Sequence, residues 1–376
     1  MTFRSLWVAS FLVLVSLAAI AKEPPVMALV ARIKAVSAEG KGNIDAHQAL
    51  RELSSASIQS LSEILTGMNG ANDYALNWLR AAVEAITQRE QEAHRPLPMD
   101  ALRSFLANTK NHPQARRLAY DLIARQDPAA ARSLLPGFVN DPSNELRRDA
   151  VQLLVNSATN QIKAGDRTLA VAGLNDALRY ARDVDQIEAV AKSLTDLGQK
   201  VDLQKTFGWL THWKVIGPFD NSGGKGFEQA FPPEQSLDPN AEYEGKIGKV
   251  RWKDYQTKSD YGMVDFNQPF DAQKEVTAYA TAEFWSAGAR TVEIRLGCEN
   301  GWKVWLNGEF LFGRDEYHRG VEIDQYRLSA KLKAGKNVIL IKCCQNEQKE
   351  DWTKGWEFQI RLTDAEGTPL ASMNPA

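Results

Sequence analysis

The apolar positions change period partway along the chain. Up to about residue 200 they recur mostly every three or four residues. Leu50, Leu53, Ile58, Leu61, Ile64 and Leu65 form one run, Leu118, Leu122 and Ile123 another, and Leu146, Ala150, Val151, Leu153 and Leu154 a third. That is the period of an amphipathic helix. Turn signals at residues 67–70 (GMNG), 94–98 (HRPLP), Asp127-Pro128 and Asp141-Pro142 divide the helices. Beyond residue 200 the period is two. Residues 279–284 and 291–296 alternate apolar and polar, as half-buried strands do. Trp213, Val215 and Ile216 lead into the turn-forming stretch 217–221 (GPFDN), and a polar, glycine-rich loop runs on to Gly226. Asn307-Gly308, between the apolar runs 303–306 and 309–312, predicts a two-residue hairpin whose turn positions both need positive φ. Trp356, Phe358, Ile360 and Leu362 make a last inward-facing row.

The pattern predicts a multidomain chain, α then β: an N-terminal α-solenoid of helical repeats followed by a β-sandwich, a jelly roll. The aromatic residues divide in the same place. Residues 26–200 hold one Trp, three Tyr and two Phe, whereas 201–376 hold eight, six and ten. The expected organisation is a signal peptide over 1–21, a helical repeat domain over 22–200, a junction over 201–212 and the sandwich over 213–372.

Within the helical half, residues 116–123 (RRLAYDLI) align with 147–154 (RRDAVQLL), and Leu79-Arg-Ala-Ala-Val83 fits the same pattern. A helix pair of this kind cannot bury its apolar face alone and must stack on neighbours. Residues 141–151 (DPSNELRRDAV) resemble the start of a HEAT-repeat helix, although the spacing is shorter than the usual HEAT period of about 40–47 residues. A generic helical bundle is the alternative. Residues 168–197 resemble a tetratricopeptide-like hairpin.

The C-terminal half carries a sharper resemblance. Residues 296–308 (LGCENGWKVWLNG) and 332–342 (LKAGKNVILIK) look like the galactose-binding-like jelly roll. Over 207–370 the order WxVIGPFDN, Phe231-Pro-Pro-Glu234, Trp252, the hairpin, GKNVILIK and a closing WxFxIRL is similar to a C-terminal module of large secreted bacterial proteins, some with HEAT-like helices in front. The resemblance implies a domain that binds something and rarely does chemistry. Such a fold hosts many ligands and identifies none.

The N-terminus changes the compartment. Arg4 precedes an apolar run from Leu6 to Ala21, broken only by Ser10 and Ser16, that ends in Ala19-Ile20-Ala21, and Lys22-Glu-Pro-Pro25 follows. This is the form of a signal peptide cut near Ala21, placing the protein outside the cytoplasm, secreted or periplasmic. An uncleaved anchor is the alternative reading. After cleavage no stable membrane insertion is expected. A net charge of −2 gives no bulk attraction to nucleic acid. Three cysteines exclude a disulfide-dense scaffold. Cys343 and Cys344 are strand neighbours pointing to opposite faces, so neither bridges the other. Cys298 pairing with one of them, or three buried free thiols, both fit the sequence.

No catalytic motif stands out. The chain lacks HExxH, a Cys/His zinc cluster, a GxSxG elbow and a phosphate-binding glycine loop, and Ser222-Gly-Gly-Lys225 lacks the partners of an SxxK enzyme. No cofactor is expected, a structural calcium ion on Asp220, Asn221 and Asp265 excepted. Ligand-binding candidates lie on two polar loops, 313–320 and 346–354. They are Arg314, Asp315, His318, Arg319 and Trp352: charged groups for sugar hydroxyls and an indole for an apolar sugar face. One of Trp302 and Trp305 must face the core, and the other is either packed or a stacking candidate. Arg116, Arg117, Arg147 and Arg148 recur across the repeat. They either form a ridge for an acidic partner or pair with nearby acids such as Asp121 and Asp149. These residues suggest a secreted non-enzymatic binding or scaffold protein, its sandwich recognising a carbohydrate or cell-surface polymer and its helices a protein partner. The alternatives are an accessory subunit of a polysaccharide-degrading system or a purely structural envelope protein.

Overall fold

The computed structural model describes residues 25–373. The expected signal peptide and its cleavage site lie outside them. The chain forms α then β, as the change of period predicts, and divides into two compact units at Arg132 and Ser133.

The first unit is helical. It contains α1 (Val26–Lys34), α2 (Asn43–Ser54), α3 (Leu61–Gly67), α4 (Asp73–Glu92), α5 (Met99–Ala107) and α6 (Pro113–Gln126), and it ends within α7 (Pro128–Leu134). The run Leu50 to Leu65 is two helices, because α2 stops at Ser54 and a 3-10 turn at Ile58–Ser60 restarts the chain. Its Leu53, Leu61, Ile64 and Leu65 are buried. Gly67 lets α3 approach α1 closely: a Cβ there would lie 2.6 Å from Val30 Cγ1. Asn72 caps α4 by accepting from the Ala75 amide, and Pro113 opens α6 at its first turn.

The recurring arginines do not form one exposed ridge. Arg116 is buried and its Nε donates to the Leu106 carbonyl at the end of α5 (2.8 Å), satisfying a helix terminus. In the second unit Arg147 is likewise buried and donates to the Asp141 carbonyl (2.6 Å). Arg117 bonds Asp121, and Arg148 forms a two-pronged pair with Asp185. Two of the four therefore serve the backbone beside their own helices.

The second unit begins with α8 (Asn144–Lys163), α9 (Arg167–Tyr180), α10 (Val184–Asp196) and α11 (Leu203–Phe207). α8 packs on α9, and α9 on α10. Leu146, Ala150 and Val151 of the predicted stripe are buried, while Leu153 faces out. No described helix is long and apolar enough to cross a membrane.

The strands follow. They are β1 (His212–Asp220), β2 (Glu242–Gly245), β3 (Gly248–Arg251), β4 (Lys253–Gln256), β5 (Val264–Asp265), β6 (Val276–Ser286), β7 (Arg290–Cys298), β8 (Trp302–Leu306), β9 (Glu309–Arg314), β10 (Tyr326–Leu332), β11 (Gly335–Gln345) and β12 (Glu357–Thr363). Short helices α12 (Pro232–Gln235) and α13 (Asn267–Phe270) interrupt them. Among the described residues one sheet has the order β4-β1-β6-β11-β8-β9 and the other β10-β7-β12-β5, and every pairing in both is antiparallel. Alternate residues of both sheets share one core, with Val215, Ala280, Ile294, Val304, Ile341 and Ile360 at its centre. Asn307 (φ 54°) and Gly308 (φ 84°) make the predicted hairpin turn.

The outer faces are covered too. On the six-stranded sheet, Ile216, Phe219, Tyr279, Trp305 and Leu340 pack against Phe231 and Val250 from the segment between β1 and β4. Trp305 therefore lies in this second core and Trp302 in the first, so neither is a platform for a sugar. On the four-stranded sheet, Arg361 and Arg295 converge on Asp324, and Arg361 also donates to the Phe207 carbonyl of α11. The three cysteines are buried and free. Cys298 and Cys343 meet between the sheets with sulfurs 3.5 Å apart, and Cys344 turns to Thr277 on the other face.

Candidate functional site

The strand register gathers the two polar loops. Val276 pairs with Gln345, Cys298 with Phe358, and Trp302 with Arg314. The segments 271–275, 299–301, 315–325 and 346–356 therefore emerge at the same end of the sandwich.

His318 and Trp352, from different loops, come together there. Their ring centroids are 5.4 Å apart, edge to face. Trp352 sits in a 3-10 turn (Asp351–Thr353) and is 65% exposed. Behind it the His318 side chain is 4% exposed. Its Nε2 bonds Asn346 Oδ1 (2.9 Å), and its Nδ1, 4.0 Å from Glu299, has no hydrogen-bond partner. Asn300 fixes the backbone on both sides, accepting from the His318 amide (3.2 Å) and donating to the Gly355 carbonyl (2.8 Å). The Thr353 hydroxyl ties the Trp352 turn to the Gln348 and Glu350 carbonyls. The result is an indole held out to solvent by a well-bonded base, with Asn346 and Glu299 beside the imidazole that backs it.

The other candidates do less. Arg314 and Arg319 both reach for Glu316 (3.4 and 3.3 Å), and Arg314 also stacks on Phe312. An exposed clamp of this kind contributes at most about 1 kcal/mol and leaves neither guanidinium free. Asp315 lies by Gly301 and Tyr317. Burial, then the neighbouring Glu228 charge, hold its carboxyl above the usual range against Lys303.

The calcium candidates are not gathered. Asp220 accepts from Lys246 and Ser222, the Asn221 amide donates to Tyr317 and the Gln345 carbonyl, and Asp265 receives the Asn267 amide. Among the described residues no group of three His, Cys, Asp or Glu side chains is placed to hold a metal ion.

Sequence reasoning passed over Glu299 and Asn300, and named the loop that Asn346 opens without singling that residue out. The Asn300-Gly301 pair between two apolar runs signals a turn, but nothing in one sequence says which loop that turn will support.

No protein-family model matches the chain, and no curated protein does. Solved structures share parts of it. A family 35 carbohydrate binding module from an environmental isolate is 19% identical, with 26% of this chain and 72% of that one covered and a TM-score of 0.19. The PA14 domain of the antifreeze protein MpAFP is 15% identical over 26% of this chain and 48% of that one, with a TM-score of 0.21. An anti-sigma factor domain-containing protein from Clostridium clariflavum is 13% identical over 45% and 47%, with a TM-score of 0.25. The chain spans about half the length of the antifreeze domain and the anti-sigma protein. Likenesses this slight carry no functional argument, so function is read from the site itself.

Proposed function

We propose that this is a non-enzymatic binding protein whose sandwich takes a carbohydrate on its end loops. The observation that supports this reading is the exposed Trp352 indole, backed edge-on by His318, which itself bonds Asn346 and lies 4.0 Å from Glu299, with Asp351 next to Trp352 in the same turn. An indole in solvent presents an apolar plane for the C–H face of a sugar ring, and the amides and carboxylates meet its hydroxyls. A glycan array probed with the whole protein names the ligand. Against a hit, Trp352→Ala is expected to weaken binding by about 1–3 kcal/mol with an unchanged thermal melt. Unchanged affinity would remove the site from these loops. Arg314→Ala, which gives up the Glu316 clamp and the stacking on Phe312, is expected to do much less.

Export belongs to the same proposal. Mass spectrometry of the mature protein should find its first residue at Lys22, and a chain retaining Met1 in the membrane fraction would count against export. A protein partner on the helices is also proposed, supported by the exposed Ile44 of α2 and Tyr74 of α4 rather than by the arginines. The covered outer face of the four-stranded sheet favours a second reading, in which part of the sandwich serves to brace the helices of its own unit.

A further inference from the structure

A cleft of about 710 Å³ lies at the open edge of the four-stranded sheet, lined by β5, β12 and the segment 256–263, with Val321 and Ile323. Asp265 of β5 and Glu357 of β12 line it and are directly opposite partners. On the other side of Glu357, at the same register, comes Glu299, whose amide donates to the Glu357 carbonyl (3.3 Å). Three carboxylates thus stand in a row across three neighbouring chain segments. Adjacent strands lie about 4.8 Å apart, and like charges directly opposite destabilise a sheet. Among the described residues none of the three is ion-paired with a lysine or arginine. Asp265 is satisfied by the amides of Asn267 and Gln268, and Glu299 has only His318 beside it. Lys258 lines the cleft without pairing to either acid.

Two further groups point to a missing ligand. Gln359 lines the same cleft, is 1% exposed, and its Oε1 has no hydrogen-bond partner. The buried Nδ1 of His318, at the Glu299 end of the row, is unpartnered as well. Buried polar atoms without partners are costly and rare.

We infer that the row recognises a protonated amine, so that the saccharide bound at Trp352 is an amino sugar with its amine free. This rests on the carbohydrate reading above. The row ends at Glu299, 4.0 Å from His318, the residue that backs the indole, so its near end adjoins the Trp352 site. An ammonium relieves the repulsion among them and donates charge-assisted hydrogen bonds, and Gln359 offers a neutral acceptor. Burial, then the Asp265 and Glu299 charges, hold the Glu357 carboxyl above the usual range. A bound cation favours its ionised form, so affinity rises with pH through that range. The charged and titratable neighbours are Asp265, Glu299, Lys258, Tyr255 and Tyr261, with His318 beyond Glu299.

The test is titration calorimetry of the whole protein with a β-1,4-linked glucosamine hexamer and its fully N-acetylated counterpart. The free amine form is expected to bind at least about tenfold more tightly. That advantage should shrink in high salt and be lost in both Glu357→Gln and Asp265→Asn, whose thermal melts stay near wild type. Equal binding of the two hexamers, an advantage untouched by either substitution, or equally tight binding of spermidine would overturn the inference. If the protein binds a neutral glycan through Trp352 but not glucosamine, the charge assignment falls and the carbohydrate reading stands. If it binds no glycan, both fall.

Discussion

Replacing Asp324 by alanine is expected to lower the unfolding free energy by about 3–5 kcal/mol. Both carboxylate oxygens are committed to Arg361, with Nε at 2.7 Å and Nη2 at 2.6 Å, and one also accepts from Arg295 Nη1 at 2.7 Å. The Arg361 side chain is fully buried, donates to the Phe207 carbonyl (3.1 Å) and lies over the rings of Phe207 and Trp209. Removing the carboxylate leaves two buried guanidinium groups, of which Arg295 keeps its pair with Glu293 and, among the described residues, Arg361 keeps no carboxylate partner. Urea denaturation measures the loss, and an unchanged midpoint would show that the network does not hold the helices to the sheet. Asp324 has positive φ (59°), so Asp324→Asn separates the lost charge from the backbone preference. The pH dependence has a definite sign. Burial raises the Asp324 pKa, but the hydrogen bonds and charges of Arg361 and Arg295 more than reverse this, so the folded carboxyl titrates below its ordinary range. Its contribution is complete above the unfolded value of about 3.9 and is lost as pH falls through the lower folded one. Wild type and Asp324→Ala should therefore converge in acid.

The second large effect is expected at Glu234. Lys342 lies mid-strand in β11 with its side chain wholly buried. Its ammonium donates to the carbonyls of Phe227 (3.0 Å) and Gln229 (2.8 Å) and to Glu234 (2.8 Å), and the Tyr279 hydroxyl donates to the same carboxylate. This fastens the segment between β1 and β4 to the sheet's outer face. Burial holds the Lys342 ammonium below its usual range, with Glu234 opposing. Glu234→Ala removes the carboxylate bonded to that ammonium, at an expected cost of about 3–5 kcal/mol. The double variant Glu234→Leu/Lys342→Met, which leaves no unpaired charge, should recover much of it. Thermal unfolding with proteolysis of residues 221–252 checks both, and a protected segment in Glu234→Ala would mean that the apolar contacts of Phe231 and Val250 hold it alone.

Much of the fold could be read from the order of residues. Period-two runs located β6, β7 and β12, and Asn307-Gly308 located the turn between β8 and β9, because these signals are local. β2 to β5 escaped notice. They are two to four residues long, and edge strands that short carry too little alternation to count. The recurring arginines were visible as a repeat, but their role was not, since whether an arginine serves solvent or a carbonyl is decided by the neighbouring helix end. At the site, residue types alone singled out His318 and Trp352. Their meeting depends on the register of β8, β9 and β11 in one sheet, and the carboxylate row on that of β5, β12 and β7 in the other, since Asp265 and Glu357 are 92 positions apart.

The exposure of Trp352 also matters spectroscopically. Among the described tryptophans it alone is exposed, while Trp213, Trp302 and Trp356 sit in the inter-sheet core. Iodide in solution therefore reaches that indole in preference to the others, and the quenchable red edge of the emission band belongs largely to one residue. A ligand seated on it shields that fraction and shifts the band to the blue. The protein thus carries a fluorescent reporter at its own candidate site, without a label.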